Sequence, residues 1–270
     1  MAKRYYHNHF RFSYQTSFKR HSLSLLIALG IILIILTYVL HLFSPQKTFK
    51  IEQVSVTIIL LATASTLFRL VVAYFISLIV SVPIALLITS SEKIERLLLP
   101  IVDIIQSIPV LAFFPIVILA FVQFNFFDGA AIFILFMSMV WNIVFSMIGG
   151  LKTIPEDIKD VAKVFGAKGF KKLFYVTLPS IFPSIITGSF LAWGQGWNIS
   201  IVAEALHAFI PNSAKSHDLF GLGSLLVNSF SESKNAVFFA SLSAMIIVIT
   251  LFNFFVWQKL LHLSERYKFD

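Results

Sequence analysis

Few side chains in this sequence could do chemistry, and most of those that could are neutral amides and hydroxyls. Asn142 lies near the middle of an apolar stretch, Gln195 and Asn198 are three apart, and Gln106 and Ser107 stand just before Pro109. A spacing of three places Gln195 and Asn198 on one helix face, and a proline frees a backbone carbonyl beside Gln106 and Ser107. Neutral donors of this kind can pass an anion along without trapping it; the same groups also serve as hydrogen bonds between helices. No catalytic set accompanies them. Neither HExxH nor GxSxG occurs, and the sparse acids within the apolar stretches form no pair. The phosphate-loop pattern is absent too; Gly166-Ala167-Lys168-Gly169 comes nearest and lacks the spacing. The chain has no cysteine, which excludes disulfides and thiolate metal sites. His7, His9 and His21 lie in a polar tail and read as solvated, so neither a metal nor a cofactor is expected.

The elements that hold these groups are apolar spans. Hydrophobic residues make up 58% of the 270 and charged residues 13%, against about 25% charged in a soluble domain. The length holds about six spans of ~20 residues. They fall at 22–43, 66–89, 100–121, 129–150, 179–206 and 236–257. The run from Val54 to Thr89 is too long for one straight span. It reads as an outer-surface helix to about Ser65 followed by a span from Thr66, or as one long tilted helix, with Arg69 snorkelling at the outer interface. The run at 22–43 exceeds the length of a cleavable signal and lacks a convincing cleavage site, so it reads as a retained span.

With residues 1–21 as a cytoplasmic basic tail, the cytoplasmic segments hold 16 of the 21 Lys and Arg residues. That asymmetry fits the positive-inside rule, puts residues 259–270 in the cytoplasm as well, and accounts for the net charge of +8 without nucleic acid. Glu204 then sits near the outer end of the fifth span, where it could order an outer gate or face water. Asp103 reads as a cytoplasmic-side polar contact. Trp193 and Trp197 read as packing or interfacial anchors, and Gly188, Gly194 and Gly196 as points of close helix approach.

The central loop, residues 151–178, carries two short amphipathic basic helices. Pro155, Glu156 and Asp157 suit a helix start. Ile158, Val161, Ala162 and Phe165 follow at i, i+3, i+4 and i+7 and make one apolar stripe. Gly166 stands where a left-handed stop is expected. A second helix follows from about Lys168 to Val176, ended by Leu178-Pro179, which starts the next span. Such a loop can lie on anionic lipid or dock onto a partner.

The residue order Asp160-Val161-Ala162, Gly166-Ala167 and Leu178-Pro179, with Pro183 and Gly188 beyond, resembles the EAA loop of ABC importer permeases. Asp replaces the family's Glu and Val its first Ala. Thr66 to Arg69, Ser107-Ile108-Pro109, and Val202-Ala203-Glu204 followed by Gly221-Leu222-Gly223 resemble the nitrate, sulfonate and taurine branch, and Gly196 to Glu204 its duplicated anion-transport permeases. The resemblance implies an all-α polytopic bundle like that of type I ABC importer permeases, embedded in the bacterial inner membrane. It implies that residues 158–167 and Leu178-Pro179 form coupling helices. It also implies cytoplasmic ATPase subunits, a second permease copy (a homodimer ahead of a heterodimer) and an extracytoplasmic solute-binding protein as partners. ATP hydrolysis would then belong to another chain. A membrane scaffold or a secondary carrier without an ATPase is the competing class.

Overall fold

A computed structural model describes residues 55–124, 126–206 and 218–267; the span expected at 22–43, the basic tail and its histidines lie outside the described residues. No strand occurs among the described residues. The first helix, α1 (Val56–Ile88), is apolar all round, as a helix inside a bundle or bilayer must be. It is one uninterrupted helix of 33 residues, about 50 Å long. The surface helix expected before Ser65 is thus the N-terminal part of this same helix, which is longer than a ~30 Å hydrocarbon core.

α2 (Glu92–Ser107) opens with Ser91 accepting a hydrogen bond from the Ile94 N–H, and with Glu92 and Glu95 in its first turn. It does not run straight into the membrane. Ile108 is extended (φ −73°, ψ 124°), because the residue before a proline is kept out of the helical region. After a short turn at Val110–Phe113, α3 (Phe114–Val122) leaves at 78° to α2. The stretch 100–121, expected as the third span, is therefore not one straight helix but two bent against each other.

α4 (Phe127–Lys152) is the central post, its Ile134, Leu135, Met139, Ile143 and Met147 fully buried. It packs most extensively on α1 and on α7 (Phe182–Glu204). Small residues set the α4–α7 distance: a Cβ on Gly188 would fall 2.6 Å from the Ser146 Cβ and 3.0 Å from the Asn142 carbonyl oxygen. Gly194, by contrast, faces open space. Serines bridge α1 to α4, with Ser77 and Ser81 donating to the Phe136 and Val140 carbonyls at 3.3 and 3.2 Å; bonds of this kind contribute roughly 0.6 kcal/mol each in membranes.

Between α4 and α7 run α5 (Glu156–Val164) and α6 (Gly169–Lys172). A wide π-type turn at Leu173–Thr177 and a last helical turn at Leu178–Ser180 follow α6. The break into α7 falls at Ile181, one turn after Leu178-Pro179, and turns the chain by 69°. α8 (Leu222–Ser231), α9 (Asn235–Phe252) and α10 (Gln258–Ser264) complete the bundle; the last two join through a π-type turn at Asn253–Trp257. Among the described residues, three helical runs are long and apolar enough to cross a membrane, or five with each bent pair taken as one span. Trp193 and Trp197 are both buried, and Trp193 stacks on Phe252 at 5.0 Å and meets Tyr74 edge-on at 5.9 Å, so these rings are packing groups.

Candidate functional site

Polar and exposed groups gather at three levels of the bundle. At the end where Lys152 closes α4, the α5 helix stops at Phe165 and Gly166. Gly166 has φ +65°, donates to the Lys163 carbonyl at 3.0 Å, and is followed by Ala167 donating to the Ala162 carbonyl at 2.9 Å. That pair of bonds is a Schellman stop, which needs a residue in the left-handed region. The apolar stripe divides here: Ala162 is buried and Ile158 half-buried against the bundle, while Val161 is 55% and Phe165 83% exposed. Val164, Phe170, Phe174 and Tyr175 are exposed beside them, and Phe170 stacks on Phe174. None of these four belongs to the stripe read from sequence; Phe170 and Phe174 fall in the second helix expected from about Lys168 to Val176.

Asp160 accepts from Lys163 at 2.8 Å on the outer side of α5, and that contact pushes the Lys163 ammonium pKa up. A groove of about 570 Å³ lies between α5 and the turn toward α7, lined by Ile158, Ala162, Phe165, Ala167, Tyr175 and Pro179. Leu178 is half-buried above it.

The middle level is a cavity of about 330 Å³ at the bend between α2 and α3. Gln106, Asn142 and Gln195 line it together with Ser138 and Trp141. Ser107 and Asn198 do not: the Ser107 hydroxyl donates to the Asp103 carbonyl at 2.7 Å, and Asn198 is exposed farther along α7. Gln106 donates to the Asp103 carboxylate at 2.9 Å. Among the described residues no charged side chain lines the cavity. Ser138 precedes Asn142 by one helical turn, so their shared face was legible in the spacing; Trp141 carried no such signal.

The third level is at the far end, where α4 begins. Arg69 lies about 28 Å along α1 from Ile88, the depth of an interface. Its side chain does not snorkel outward as expected but turns into the bundle and is 6% exposed. Its Nε donates to the Asp128 carboxylate at 2.7 Å and its Nη1 to Glu204 at 3.0 Å and to the Phe220 carbonyl at 3.1 Å. Glu204 is 1% exposed and accepts from the Gly223 N–H at 2.8 Å. It therefore does not face water. Sequence reasoning had Arg69 and Glu204 in hand separately; residues 135 positions apart give no local sign that they pair. Among the described residues no group of His, Asp or Glu is placed to hold a metal ion.

Comparisons with known proteins place this helical bundle in a family. The family described as binding-protein-dependent transport system inner membrane component matches residues 78–264, more than half of the chain. The chain belongs to this family. It is thus a multi-pass inner-membrane protein with the permease fold of ABC importers. The bicarbonate transport system permease protein CmpB of Synechococcus elongatus is 39% identical over 94 residues, 35% of this chain and 33% of that protein. The nitrate import permease protein NrtB of the same organism is 32% identical over 98 residues, 36% of this chain and 34% of that protein. The match thus spans about a third of the length of these relatives. Among solved structures, the MetNI methionine ABC transporter in inward-facing form covers 81% of this chain and 100% of the compared chain, with a TM-score of 0.65 and 18% identity. That likeness establishes the fold.

Proposed function

We propose that this chain is the permease subunit of an ATP-binding cassette importer, passing a small anion delivered by an extracytoplasmic binding protein and powered by a separate cytoplasmic ATPase. The observation that carries the reading is the exposed cluster of Val161, Val164, Phe165, Phe170, Phe174 and Tyr175 at the basic end of a membrane bundle. Large apolar side chains left in the open together mark a docking surface. Lys152, Lys159, Lys163, Lys168, Lys171 and Lys172 in the same loop support a cytoplasmic position for that end, and for both termini, by the positive-inside rule.

The groove under α5 and the 69° turn at Ile181 give the docking surface a stiff connection to α7. A displacement of α5 and α6 by the ATPase becomes a tilt of α7, which carries Gln195 past the cavity it shares with Gln106 and Asn142. Neutral amides and an indole offer hydrogen bonds to an oxyanion without a fixed charge that would hold it. Bicarbonate and nitrate, carried by the named relatives, fit this chemistry, as do sulfonate and taurine. One copy leaves the cavity open on one side, which favours a second copy of the same chain as its other wall.

The test is a Phe165→Asp variant co-expressed with candidate ATPase subunits. Because Phe165 is exposed, the chain is expected to insert and fold as before while the ATPase no longer co-purifies. An ATPase that follows both Phe165→Asp and Val164→Asp undiminished, or transport that continues without any ATPase, would reject the proposal.

A further inference from the structure

The ion pair at the outer end does more than neutralise two buried charges. Its members, with Thr66, hold the backbone of the segment Leu219–Gly223. Arg69 donates to the Phe220 carbonyl, Thr66 accepts from the Leu222 N–H at 2.9 Å, and Glu204 accepts from the Gly223 N–H. The Leu219 N–H donates to the Glu204 carbonyl at 3.0 Å. The segment has no regular structure of its own up to Gly221, so these bonds satisfy backbone groups that apolar surroundings would otherwise leave unpaired.

The fit is tight enough to demand glycine. A Cβ on Gly221 would come within 2.2 Å of a Glu204 carboxylate oxygen, and one on Gly223 within 2.6 Å of the Ile201 Cα and 2.7 Å of the Ser200 carbonyl oxygen. The segment leads directly into α8, whose 10 residues span about 15 Å. That is half a hydrocarbon core. α8 lies against α1, α7 and α9 with Leu222, Ser224, Leu226 and Ser229 turned inward.

We propose that Arg69, Glu204 and Thr66 form a clamp that seats Leu219–Gly223 and α8 as a lid on the extracytoplasmic end of the bundle. The two carboxylates on Arg69 hold it with different strength. Glu204 and Arg69 are both buried, so separating them leaves uncompensated charge in an apolar setting. Asp128 is half-exposed and steadies Arg69 from the water side. The clamp is also connected to the other end of the molecule. Glu204 is the last residue of α7, and the first turn of α7 follows the break at Ile181 that joins it to the docking helices. A tilt of α7 withdraws Glu204 from Arg69, Gly223 and Leu219 together, so one motion releases the α7 half of the clamp and leaves only the Arg69 and Thr66 bonds from α1 to hold the segment. The lid is thus the element through which docking at the cytoplasmic end governs access from outside; this rests on the orientation proposed above.

The native chain has no cysteine, so a single introduced thiol reports on one position. Ser224→Cys places it on the buried face of the lid (Ser224 is 4% exposed) and Ser231→Cys places it at the exposed end of α8. Each is labelled with a membrane-impermeant maleimide added outside sealed cells expressing the full chain. The disruptive background is the double variant Arg69→Met/Glu204→Gln, which removes both buried charges at once and so leaves none unpaired. A second background, Thr66→Val, alters the clamp without touching a charge. The expected result is that the buried-face thiol of Ser224→Cys labels about tenfold faster in both backgrounds than in the parent, as local opening requires. The exposed thiol of Ser231→Cys should label equally in all three. Labelling of Ser224→Cys within about twofold of the parent in both backgrounds, with Ser231→Cys reactive, would overturn the lid alone. A Ser231→Cys thiol that reacts only after the membrane is permeabilised would overturn the orientation, and the extracytoplasmic lid with it.

Discussion

A charge in a bilayer is tolerable only when another group answers it, and Arg69 is answered twice, by Glu204 inside the bundle and by Asp128 at its edge. Removing one member of a buried pair costs about 3–5 kcal/mol, whereas exposed pairs contribute about 0–1 kcal/mol. Arg69→Met alone is therefore expected to lower the thermal unfolding midpoint in detergent strongly and Asp128→Asn only slightly, with Arg69→Met/Glu204→Gln recovering most of the loss; equal midpoints for the three would contradict the burial argument. The glycines make a matched pair of predictions. Gly223→Ala should destabilise, because its Cβ meets backbone that cannot move aside, while Gly194→Ala, facing open space, should leave the midpoint unchanged.

At the scale of elements, the amphipathic loop proposed for docking was the most legible part of the described residues. The stripe, the acidic first turn and the glycine stop of α5 are local features, and a helix of this kind is specified by its own residues and caps. Gly166 was readable because only one backbone conformation suits that stop; Gly169, also left-handed at φ +53°, was not singled out. Gly166→Val should cost about 1–2 kcal/mol of local backbone energy with no clash inside the chain. The variant is thus expected to insert normally, yet to reset the angle between α5 and α6. In proteoliposomes with the ATPase present, the expected signature is ATP hydrolysis that persists while solute uptake falls; unchanged uptake would remove Gly166 from the coupling role. Bends were less legible. Pro179 and Pro183 both tolerate a helix start, so nothing local decided that the break falls at Ile181 between them and not at Leu178-Pro179.

For the whole molecule, α7 presents Thr187, Leu191, Gly194, Gln195 and Asn198 uncovered, a partly polar face that hydrocarbon does not suit. A homodimer would cover it with a second copy. Asn198→Cys as the only thiol should then give a chain-to-chain adduct with a short bis-maleimide in native membranes, and its failure, together with that of Gly194→Cys, would favour a heterodimer. By itself the sequence determined the membrane class, the apolar helices and the amphipathic loop between α4 and α7, because hydropathy and helix caps act over a few neighbouring residues. It also marked Gln106, Asn142 and Gln195 as polar groups out of place. Only the tertiary structure decided that these three share a cavity without Ser107 and Asn198, and that Arg69 turns inward to Glu204. Both outcomes depend on how α1, α4 and α7 cross, and that is set by small residues and shape complementarity between segments far apart in the chain, which no local pattern encodes.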